Sequence, residues 1–302
     1  MNISSKPTLP PGKHIAGKWN GKSYKIEHAL GEGANGKVYL VSRNNAVYAM
    51  KIGSDPLDLQ SEVNILTVLS GMEGSFRHFL MDVDDFCDEA GDKPFYIMKY
   101  VEGVQLQAYL AAKGKGWFPL VGLRILDRLR ELHSKGYVFG DLKKENVLVS
   151  GYGQVELVDF GGVTSIGKAV KQFTELYDRG YWNAGDRTAD GGYDLFSFAI
   201  LCIHLCAAPK PSFSKAILPQ NRNLEVLLAE VRQDPLCADY VPFLSKALHG
   251  KFASTDEAYD SWREIAVKRP VAQPAVKHGA PWLPVGFAAS LLLFGATLWY
   301  YW

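Results

Sequence analysis

Residues 140–148 read Gly-Asp-Leu-Lys-Lys-Glu-Asn-Val-Leu, and the tripeptide Asp159-Phe160-Gly161 closes the next strand-like run. These two stretches are the most informative in the chain, because between them they contain the set of polar side chains that phosphoryl transfer requires. That reaction needs a carboxylate to take up a hydroxyl proton, here Asp141, and oxygen ligands for Mg²⁺, here Asn146 and Asp159. Since the protein itself forms few covalent bonds in such a reaction, these side chains would act mainly through position and charge.

Two stretches upstream carry groups that a triphosphate needs. Residues 31–38 read Gly-Glu-Gly-Ala-Asn-Gly-Lys-Val between strand-like runs. Glycines there let a hairpin backbone approach phosphates that a Cβ would keep away. The strand Tyr48-Ala49-Met50-Lys51 ends in a lysine that would supply a fixed cation. Such a lysine must itself be held, and Glu62, in a helical pattern at 57–69, is the acidic residue that we expect beside it.

Composition allows a globular protein with a core of its own. The chain has 302 residues, of which 47% are hydrophobic and 22% charged. The net charge of +1 does not by itself indicate nucleic acid or acidic partners. The four cysteines contain no C-x-x-C pair and the N-terminus has no secretory apolar region, so we expect the folded part in a reducing cytosol.

Apolar periodicity divides the chain into a strand-rich first third and a helical remainder. Residues 119–135 have the spacing of an amphipathic helix, and 194–206 are apolar almost all round, as in a helix buried on every side. We therefore predict an α+β protein with two lobes. The predicted units are an N-terminal lead-in (1–20), a strand-rich lobe (21–101), a helical lobe (102–265), a linker (266–280) and a transmembrane helix (281–302).

The last segment differs in kind from the rest. Residues 279–302 are 24 positions without a charge, and about 20 helical residues reach roughly 30 Å, enough to cross a bilayer core. Trp282 and the aromatic run at 299–302 would lie at the two interfaces. Basic residues before the span favour a cytoplasmic position for the lobes, in a single-pass protein of the cell membrane. The alternative is a C-terminal helix buried in a soluble domain. The basic residues concerned are Lys268, Arg269 and Lys277.

Together the ordered motifs resemble those of the protein kinase superfamily, in the bacterial branch called eukaryotic-like Ser/Thr kinases, over about 240 residues. The resemblance implies a bilobal protein kinase fold that uses ATP and Mg²⁺. It also implies transfer of the γ-phosphate to hydroxyls of cytoplasmic proteins, with autophosphorylation and self-association. The small size and the terminal span resemble a membrane-anchored kinase of spore-forming Gram-positive bacteria, which suggests a role in sporulation.

The resemblance assigns a role to each matching position. Lys51, paired with Glu62, would bind the α- and β-phosphates, Asp141 would be the catalytic base and Lys143 would steady the γ-phosphate. The spacing D-x-K-x-x-N around Lys143 favours Ser/Thr acceptors. Asn146 and Asp159 would ligate Mg²⁺. The residues that would cover the phosphates are Gly31, Gly33 and Gly36. The residues that would sandwich the adenine are Val38, Ala49 and Leu148. The gatekeeper would be Met98, and the hinge would be Lys99, Tyr100 and Val101. Asp194 would anchor the catalytic loop from beneath.

Two family motifs are altered. The family's H-R-D reads Phe139-Gly140-Asp141, so the arginine that binds an activation-loop phosphate is missing. We therefore expect phosphorylation of Thr164, Ser165 or Thr174 to matter little for activity. The family's A-P-E is missing from 181–187, and with it the carboxylate that holds this segment. The interval from Lys51 to Glu62 is also short.

Other functions stay open at this point. A pseudokinase, an ATP-binding scaffold at the membrane, is suggested by the altered motifs, and a kinase for a small molecule or lipid head group by the tail. Between residues 99 and 145 there are nine basic and five acidic residues, a local balance of +4. Binding of a polyanion there, either nucleic acid or anionic lipid, is a further hypothesis.

Overall fold

The first lobe is built on a six-stranded antiparallel sheet. Its strands are β1 (His14–Ala16), β2 (Ser23–Gly33), β3 (Gly36–Arg43), β4 (Ala46–Gly53), β5 (Leu80–Asp88) and β6 (Gly91–Lys99). Their order in the sheet is β1-β2-β3-β4-β6-β5. The computed structural model of the chain describes residues 8–33, 35–89, 91–206, 222–232, 237–269 and 282–301.

One helix, α1 (Pro56–Ser70), packs against this sheet. It begins at Asp55, whose carboxylate accepts hydrogen bonds from the backbone N–H groups of Leu57 and Asp58. Such a cap satisfies donors that the first helical turn leaves unpaired. The buried positions of α1 recur at helical spacing, so Glu62 is carried inward with its apolar neighbours. These buried residues are Leu59, Glu62, Val63, Leu66 and Leu69.

The second lobe is helical around one apolar core. Its helices are α2 (Leu106–Lys113), α3 (Phe118–Ser134), α4 (Gly191–Cys206), α5 (Leu224–Arg232), α6 (Val241–Leu248) and α7 (Thr255–Lys268), and α8 (Trp282–Tyr301) follows. Trp262 of α7 is fully buried and its indole donates to the carbonyl of Pro119 at 2.9 Å, which ties α7 to the start of α3. The central helix α4 is buried at every position from 193 to 203, as its nearly uninterrupted apolar sequence requires.

Two small sheets hold the loops between the lobes. The strands β7 (Val104–Gln105), β9 (Val147–Val149) and β10 (Val155–Leu157) form one sheet, and β8 (Tyr137–Val138) pairs with β11 (Thr164–Ser165) in the other. The loop with Asp141 therefore runs from β8 to β9, and Asp159 follows β10. Both segments start from paired strands, so their polar residues have defined positions.

The predicted helices are confirmed, and their ends differ from the predicted ends by at most three residues. The pattern at 57–69 is α1, that at 119–135 is α3, and that at 194–206 lies within α4. Within the predicted lead-in at 1–20, the strand β1 pairs with β2. Ile15 is only 1% exposed, and burial of this side chain against the sheet favours the strand.

Most of the predicted linker falls outside the described residues, whereas the backbone of the predicted span is described from 282 to 301. Residues 270–281 and Trp302 are not among them, and several side chains of α8 are also left out. The helix α8 covers 20 residues of the predicted span. In the part of the chain that the structure describes, none of the helices has the length and apolar character needed to traverse a bilayer.

Candidate active site

The loop between β8 and β9 gathers donors around Asp141. The ammonium of Lys143 donates to Asp141 Oδ2 at 2.6 Å, and the hydroxyl of Thr174 donates to Oδ1 at 2.8 Å. The amide of Asn146 donates to the carbonyl of Asp141 at 2.9 Å, which fixes the backbone of this residue. These two donors fix the orientation of the Asp141 carboxylate. Asp141 is therefore oriented as a proton acceptor.

This loop is held from beneath by Asp194 at the start of α4. Its carboxylate is fully buried and accepts hydrogen bonds from the backbone N–H groups of Phe139 at 2.7 Å and Gly140 at 2.9 Å. His133 Nε2 lies 2.8 Å from the same carboxylate. A buried carboxylate needs such partners, because an unpaired one would be costly. The sequence-based position of Asp194 under the loop agrees with this geometry.

Steric crowding explains why the residue before the base is a glycine. Gly140 has φ of +81°, and a Cβ built there would lie 2.4 Å from the carbonyl oxygen of Gly162. A side chain at residue 140 would need either a strained backbone or a shift of that carbonyl. Val170 packs on the same spot, with Cγ1 3.4 Å from the built Cβ, and it is only 6% exposed. Val170 thus restricts the space that a side chain at residue 140 would enter.

A second cluster forms around Lys51. Its ammonium lies 2.7 Å from Glu62 Oε2 and 2.8 Å from Asp159 Oδ1. Glu62 also accepts hydrogen bonds from the Tyr96 hydroxyl at 2.9 Å and from the backbone N–H of Phe160 at 3.1 Å. The short sequence interval between Lys51 and Glu62 thus does not prevent their contact, because α1 begins soon after β4 ends and packs against it.

The charge on Lys51 follows from these contacts. Burial by itself lowers the pKa of an ammonium, but the carboxylates of Glu62 and Asp159 outweigh it, and the pKa of Lys51 lies above its ordinary value. Lys51 is therefore a stable cation. Burial raises the pKa of the Glu62 carboxyl above its ordinary value, although the neighbouring ammonium of Lys51 acts in the opposite direction. A lysine held in this way presents a fixed positive charge to phosphate oxygens.

Phe160 fixes the position of Asp159. The ring of Phe160 is 1% exposed and makes edge or tilted contacts with Phe76, Phe79 and Phe139, at centroid distances of 5.6, 5.1 and 6.1 Å. Such aromatic pairs contribute about 0.5–1.5 kcal/mol each beyond area burial. Phe139, which takes the place of the family's histidine, therefore fills the space beside Phe160. Asp159 itself has φ of +66°, which turns its carboxylate toward Lys51.

Asn146 and Asp159 are suited to hold a cation between them. The backbone N–H of Val158 donates to the carbonyl of Asn146 at 3.0 Å, so the residue before Asp159 is tied directly to Asn146. The amide nitrogen of Asn146 donates to Asp141, so the atom of this amide that can bind a cation is Oδ1. An amide oxygen and a carboxylate are hard ligands, and two of them fit an ion that also binds phosphates and water.

The nucleotide side of the site lies on the sheet of the first lobe. The hairpin formed by β2 and β3 contains Gly31, Gly33 and Gly36, and a Cβ at Gly36 would lie 2.2 Å from the carbonyl of Ile52. Ala49 lies opposite Met98 in the pairing of β4 with β6.

The other residues that we expect around adenine are distributed over neighbouring strands. Val38 lies on β3, opposite Lys51. The predicted hinge, Lys99 to Val101, leaves β6. Leu148 on β9 pairs with Gln105, shortly after the hinge. That these positions together bind adenine stays a prediction of the resemblance.

The segment that lacks A-P-E is held by a carboxylate that sequence reasoning missed. Asp178 is fully buried and lies 2.7 Å from Arg187 Nη2 and 3.0 Å from the hydroxyl of Tyr193. It also accepts from the backbone N–H groups of Gly180 and Tyr181. The available signal was the repeated Asp-Arg pair at 178–179 and 186–187, which alone does not say which residues pair.

The hydroxyl residues of this region differ in access. Thr164 is 2% exposed and donates to the carbonyl of Gly162, whereas Ser165 is exposed. Thr174 is engaged by the base and by Lys143, the latter at 3.2 Å. Sequence reasoning named Thr174 only as a phosphorylation candidate. Its place against Asp141 makes it part of the site instead.

Comparison with known proteins identifies similar chains. Residues 24–242 match the protein kinase domain family. The chain is 39% identical over 254 residues to the serine/threonine-protein kinase YabT of Bacillus subtilis (strain 168), covering 83% of this chain and 73% of that protein. It is 27% identical over 198 residues to the serine/threonine-protein kinase SMU1 of Mycosarcoma maydis, covering 63% of this chain and 26% of that one.

A further fungal relative has a similar relation to this chain. The serine/threonine-protein kinase pakA of Talaromyces marneffei is 25% identical over 205 residues, which are 65% of this chain and 32% of pakA. The chain thus spans about a quarter to a third of the fungal relatives it matches, but most of the bacterial one.

Proposed function

This chain belongs to the protein kinase family, and on that premise we propose that it phosphorylates cytoplasmic proteins from a membrane, using Mg²⁺ with ATP. The family match and the 39% identical Ser/Thr kinase confirm the resemblance drawn from the motifs. The chain is an ATP-dependent Ser/Thr protein kinase, and its family uses ATP with a divalent metal. The identity of the metal, the membrane and the cytoplasmic substrates are the proposed parts.

The observation that carries the mechanism is the setting of Asp141. Its carboxylate is partly buried and accepts hydrogen bonds from Lys143 and Thr174. An acceptor hydroxyl within reach of this carboxylate would pass its proton to it as phosphorus–oxygen bond formation proceeds. Lys143 lies beside the base, where its charge can act on the transferred phosphoryl group.

The other end of the site binds the nucleotide. Lys51, fixed by Glu62, would present its positive charge to the phosphates, and the glycine hairpin would cover them. A divalent cation at Asn146 and Asp159 would neutralise charge on the phosphates. Positioning of this kind accounts for most of the catalysis expected in phosphoryl transfer.

The alternatives are less consistent with this geometry. A pseudokinase scaffold would not require Asp141, Asn146 and Asp159 to be arranged as they are, and Phe139 and Gly140 leave the loop intact. A kinase for a small molecule or lipid head group is disfavoured by Lys143 beside the base. Both are outcomes of the assay below.

The assay follows labelled γ-phosphate from Mg-ATP onto the chain itself and onto myelin basic protein, with the full chain in a nonionic detergent. We expect phosphoserine or phosphothreonine, and a loss of about 10²–10⁴-fold in Asp141→Asn and Lys51→Ala. The matched controls are Asp127→Asn, a half-buried aspartate of α3 that pairs with Arg130 away from the base, and Lys25→Ala, an exposed lysine of β2. Nucleotide binding without transfer would favour the scaffold, and transfer to extracted lipid alone would favour the lipid kinase.

The metal is tested on the same samples. Chelation with EDTA is expected to abolish transfer, and added Mg²⁺ is expected to restore it. Restoration by Mn²⁺ but not by Mg²⁺ would contradict the choice of metal.

The membrane anchor rests on the uncharged run at 279–302 and on the helical course of 282–301. We expect the full chain to float with liposomes and to resist alkaline carbonate, whereas residues 1–270 do neither. Release of the full chain by carbonate would contradict an integral anchor. The cytoplasmic position of the lobes and a role in sporulation stay predictions that rest on this anchor and on the resemblance.

Self-association and polyanion binding are the remaining proposals. The basic excess at 99–145 supports the latter, although several of its side chains have acidic partners, such as Lys135 with Glu131. Binding of a DNA oligonucleotide or of anionic vesicles that weakens with salt would support it. No binding at low salt would end it. Sedimentation of the detergent-solubilised chain tests self-association.

A further inference from the structure

The tip of the glycine hairpin contacts the segment that follows Asp159-Phe160-Gly161. The amide nitrogen of Asn35 donates to Gln172 Oε1 at 2.7 Å, across 137 residues of sequence. Asn35 stands between β2 and β3, in the hairpin that covers the phosphates, and Gln172 belongs to the segment that carries Thr174. The contact therefore joins the two lobes across the mouth of the nucleotide site.

Asn35 has a fixed base on the first lobe. Its backbone carbonyl accepts from the N–H of Ser54, just after β4, at 3.1 Å. The next residue, Gly36, has φ of +145° and lies so close to Ile52 that a Cβ would overlap the carbonyl of that residue. The hairpin tip thus rests on the end of β4, and the side chain of Asn35 is directed by this support.

The position of Gln172 is also fixed, by contacts of its own segment. A Cβ built at Gly161 would lie 2.5 Å from Gln172 Oε1, so the amide rests directly on this glycine. The neighbouring Lys171 donates to Ser61 of α1 at 3.0 Å, and Thr174 bonds to Asp141. The segment is therefore fixed on both sides of Gln172, and the amide acceptor is presented to the hairpin without further ordering.

We propose that Asn35 and Gln172 are positioning residues that hold the glycine hairpin down over the bound nucleotide. The proposal rests on the ATP-dependent activity described above. The hairpin must lift for the nucleotide to leave, and this motion breaks the bond between the two amides. Both side chains are half-buried, so the bond contributes to closure of the hairpin and little to the cores of the lobes.

The size of the effect follows from one neutral hydrogen bond. Its loss corresponds to about threefold to tenfold in an equilibrium or rate constant. The product nucleotide should therefore leave about threefold to tenfold faster when either amide is removed. The KM for ATP should rise by a similar factor, while kcat falls by less than about twofold, because neither residue touches the base.

The experiment measures release of the fluorescent nucleotide mant-ADP by stopped flow, with the full chain in detergent and Mg²⁺ present. The variants are Asn35→Ala, Gln172→Ala and the double variant. Since the two residues act through one bond, the double variant should release the nucleotide no faster than either single variant. Thermal unfolding of each variant is expected to match that of the parent chain.

The control is Ser61→Ala, which removes the adjacent contact of Lys171 without changing the hairpin. It is expected to release mant-ADP at the parent rate. The proposal is overturned by unchanged release in Asn35→Ala, by additive effects in the double variant, or by equal acceleration in Ser61→Ala. Phosphate transfer by the parent chain, measured on the same samples, tests the proposed function separately. That function fails when the parent chain does not transfer phosphate, whatever the release rates are.

Discussion

The buried carboxylate of Asp178 offers the sharpest test of how the segment without A-P-E is held. Its oxygens lie 2.7 Å from the Arg187 guanidinium and 3.0 Å from the Tyr193 hydroxyl, and they accept the backbone N–H groups of Gly180 and Tyr181. Asp178→Ala removes the acceptor of all four donors at once. We expect both the stability and the substrate binding of the chain to change.

The magnitude can be worked out from these contacts. Removing one partner of a fully buried ion pair costs about 3–5 kcal/mol, because the other charge is left unpaired. Arg187 is only half-buried, with 47% of its side chain exposed, so water recovers part of that cost. We expect a loss of about 3 kcal/mol, which corresponds to a fall in Tm of about 6–12 °C. Asp178→Asn keeps one acceptor and should cost about half as much.

The functional consequence should be selective. Asp178 follows the turn Glu175–Tyr177, which in turn follows Thr174 beside the base. A looser segment should raise the KM for a protein substrate about tenfold or more while the KM for ATP stays within twofold. The assay combines thermal unfolding with steady-state kinetics on myelin basic protein.

The control for this prediction is Asp186→Asn. Asp186 belongs to the same segment and pairs with Arg179 at 3.2 Å, but 77% of its side chain is exposed. Exposed pairs contribute about 0–1 kcal/mol, so little should change. Equal effects of Asp178→Asn and Asp186→Asn, or a rise in KM for ATP alone, would refute the reasoning.

Three further predictions concern the loop, its phosphorylation and pH. Gly140→Ala should lower the free energy of unfolding by about 2–4 kcal/mol in urea titrations, because the Cβ meets the carbonyl of Gly162 at positive φ; an unchanged midpoint would contradict this. Phosphatase treatment should leave the specific activity within about twofold, because Gly140 has no side chain that could bind a phosphate in place of the family's arginine; complete inactivation would contradict it. Burial acts to raise the pKa of Glu131, but hydrogen bonds, first that from Lys135, outweigh it and the pKa lies below its ordinary value near 4.5. The stability that ionised Glu131 contributes is therefore present above about pH 4.5 and is lost as the pH falls through the lowered pKa. In Glu131→Gln, Tm should therefore fall less steeply with decreasing pH than in the parent chain. Parallel curves of Tm against pH would contradict this.

Much of the site could be predicted from short stretches of sequence. Asp141, Lys143 and Asn146 lie within six residues of one another, so local backbone geometry alone brings them into contact. The helical spacing of α1 carries Glu62 inward, and this position together with a strand ending at Lys51 predicts the pair. The family match then follows from the order of these motifs, which one chain displays without knowledge of its fold.

The remaining features depend on contacts between distant residues. The sequence contains two Asp-Arg dipeptides, at 178–179 and 186–187, and does not show which aspartate pairs with Arg187. The structure pairs Arg187 with Asp178, which is buried. Asn35 lies 137 residues from Gln172, and no periodicity connects them.

Sequence by itself therefore determined the family and the two lobes, and it predicted the residues of the reaction, since these depend on local spacing and on chemistry. Tertiary structure decided the partners that hold the reacting residues in place. The strand β1, the apolar contact of Val170 with Gly140 and the role of Thr174 all belong to this second set. The physical reason is that a hydrogen bond or an ion pair stabilises a site according to which groups packing has removed from water, and packing is a property of the whole chain.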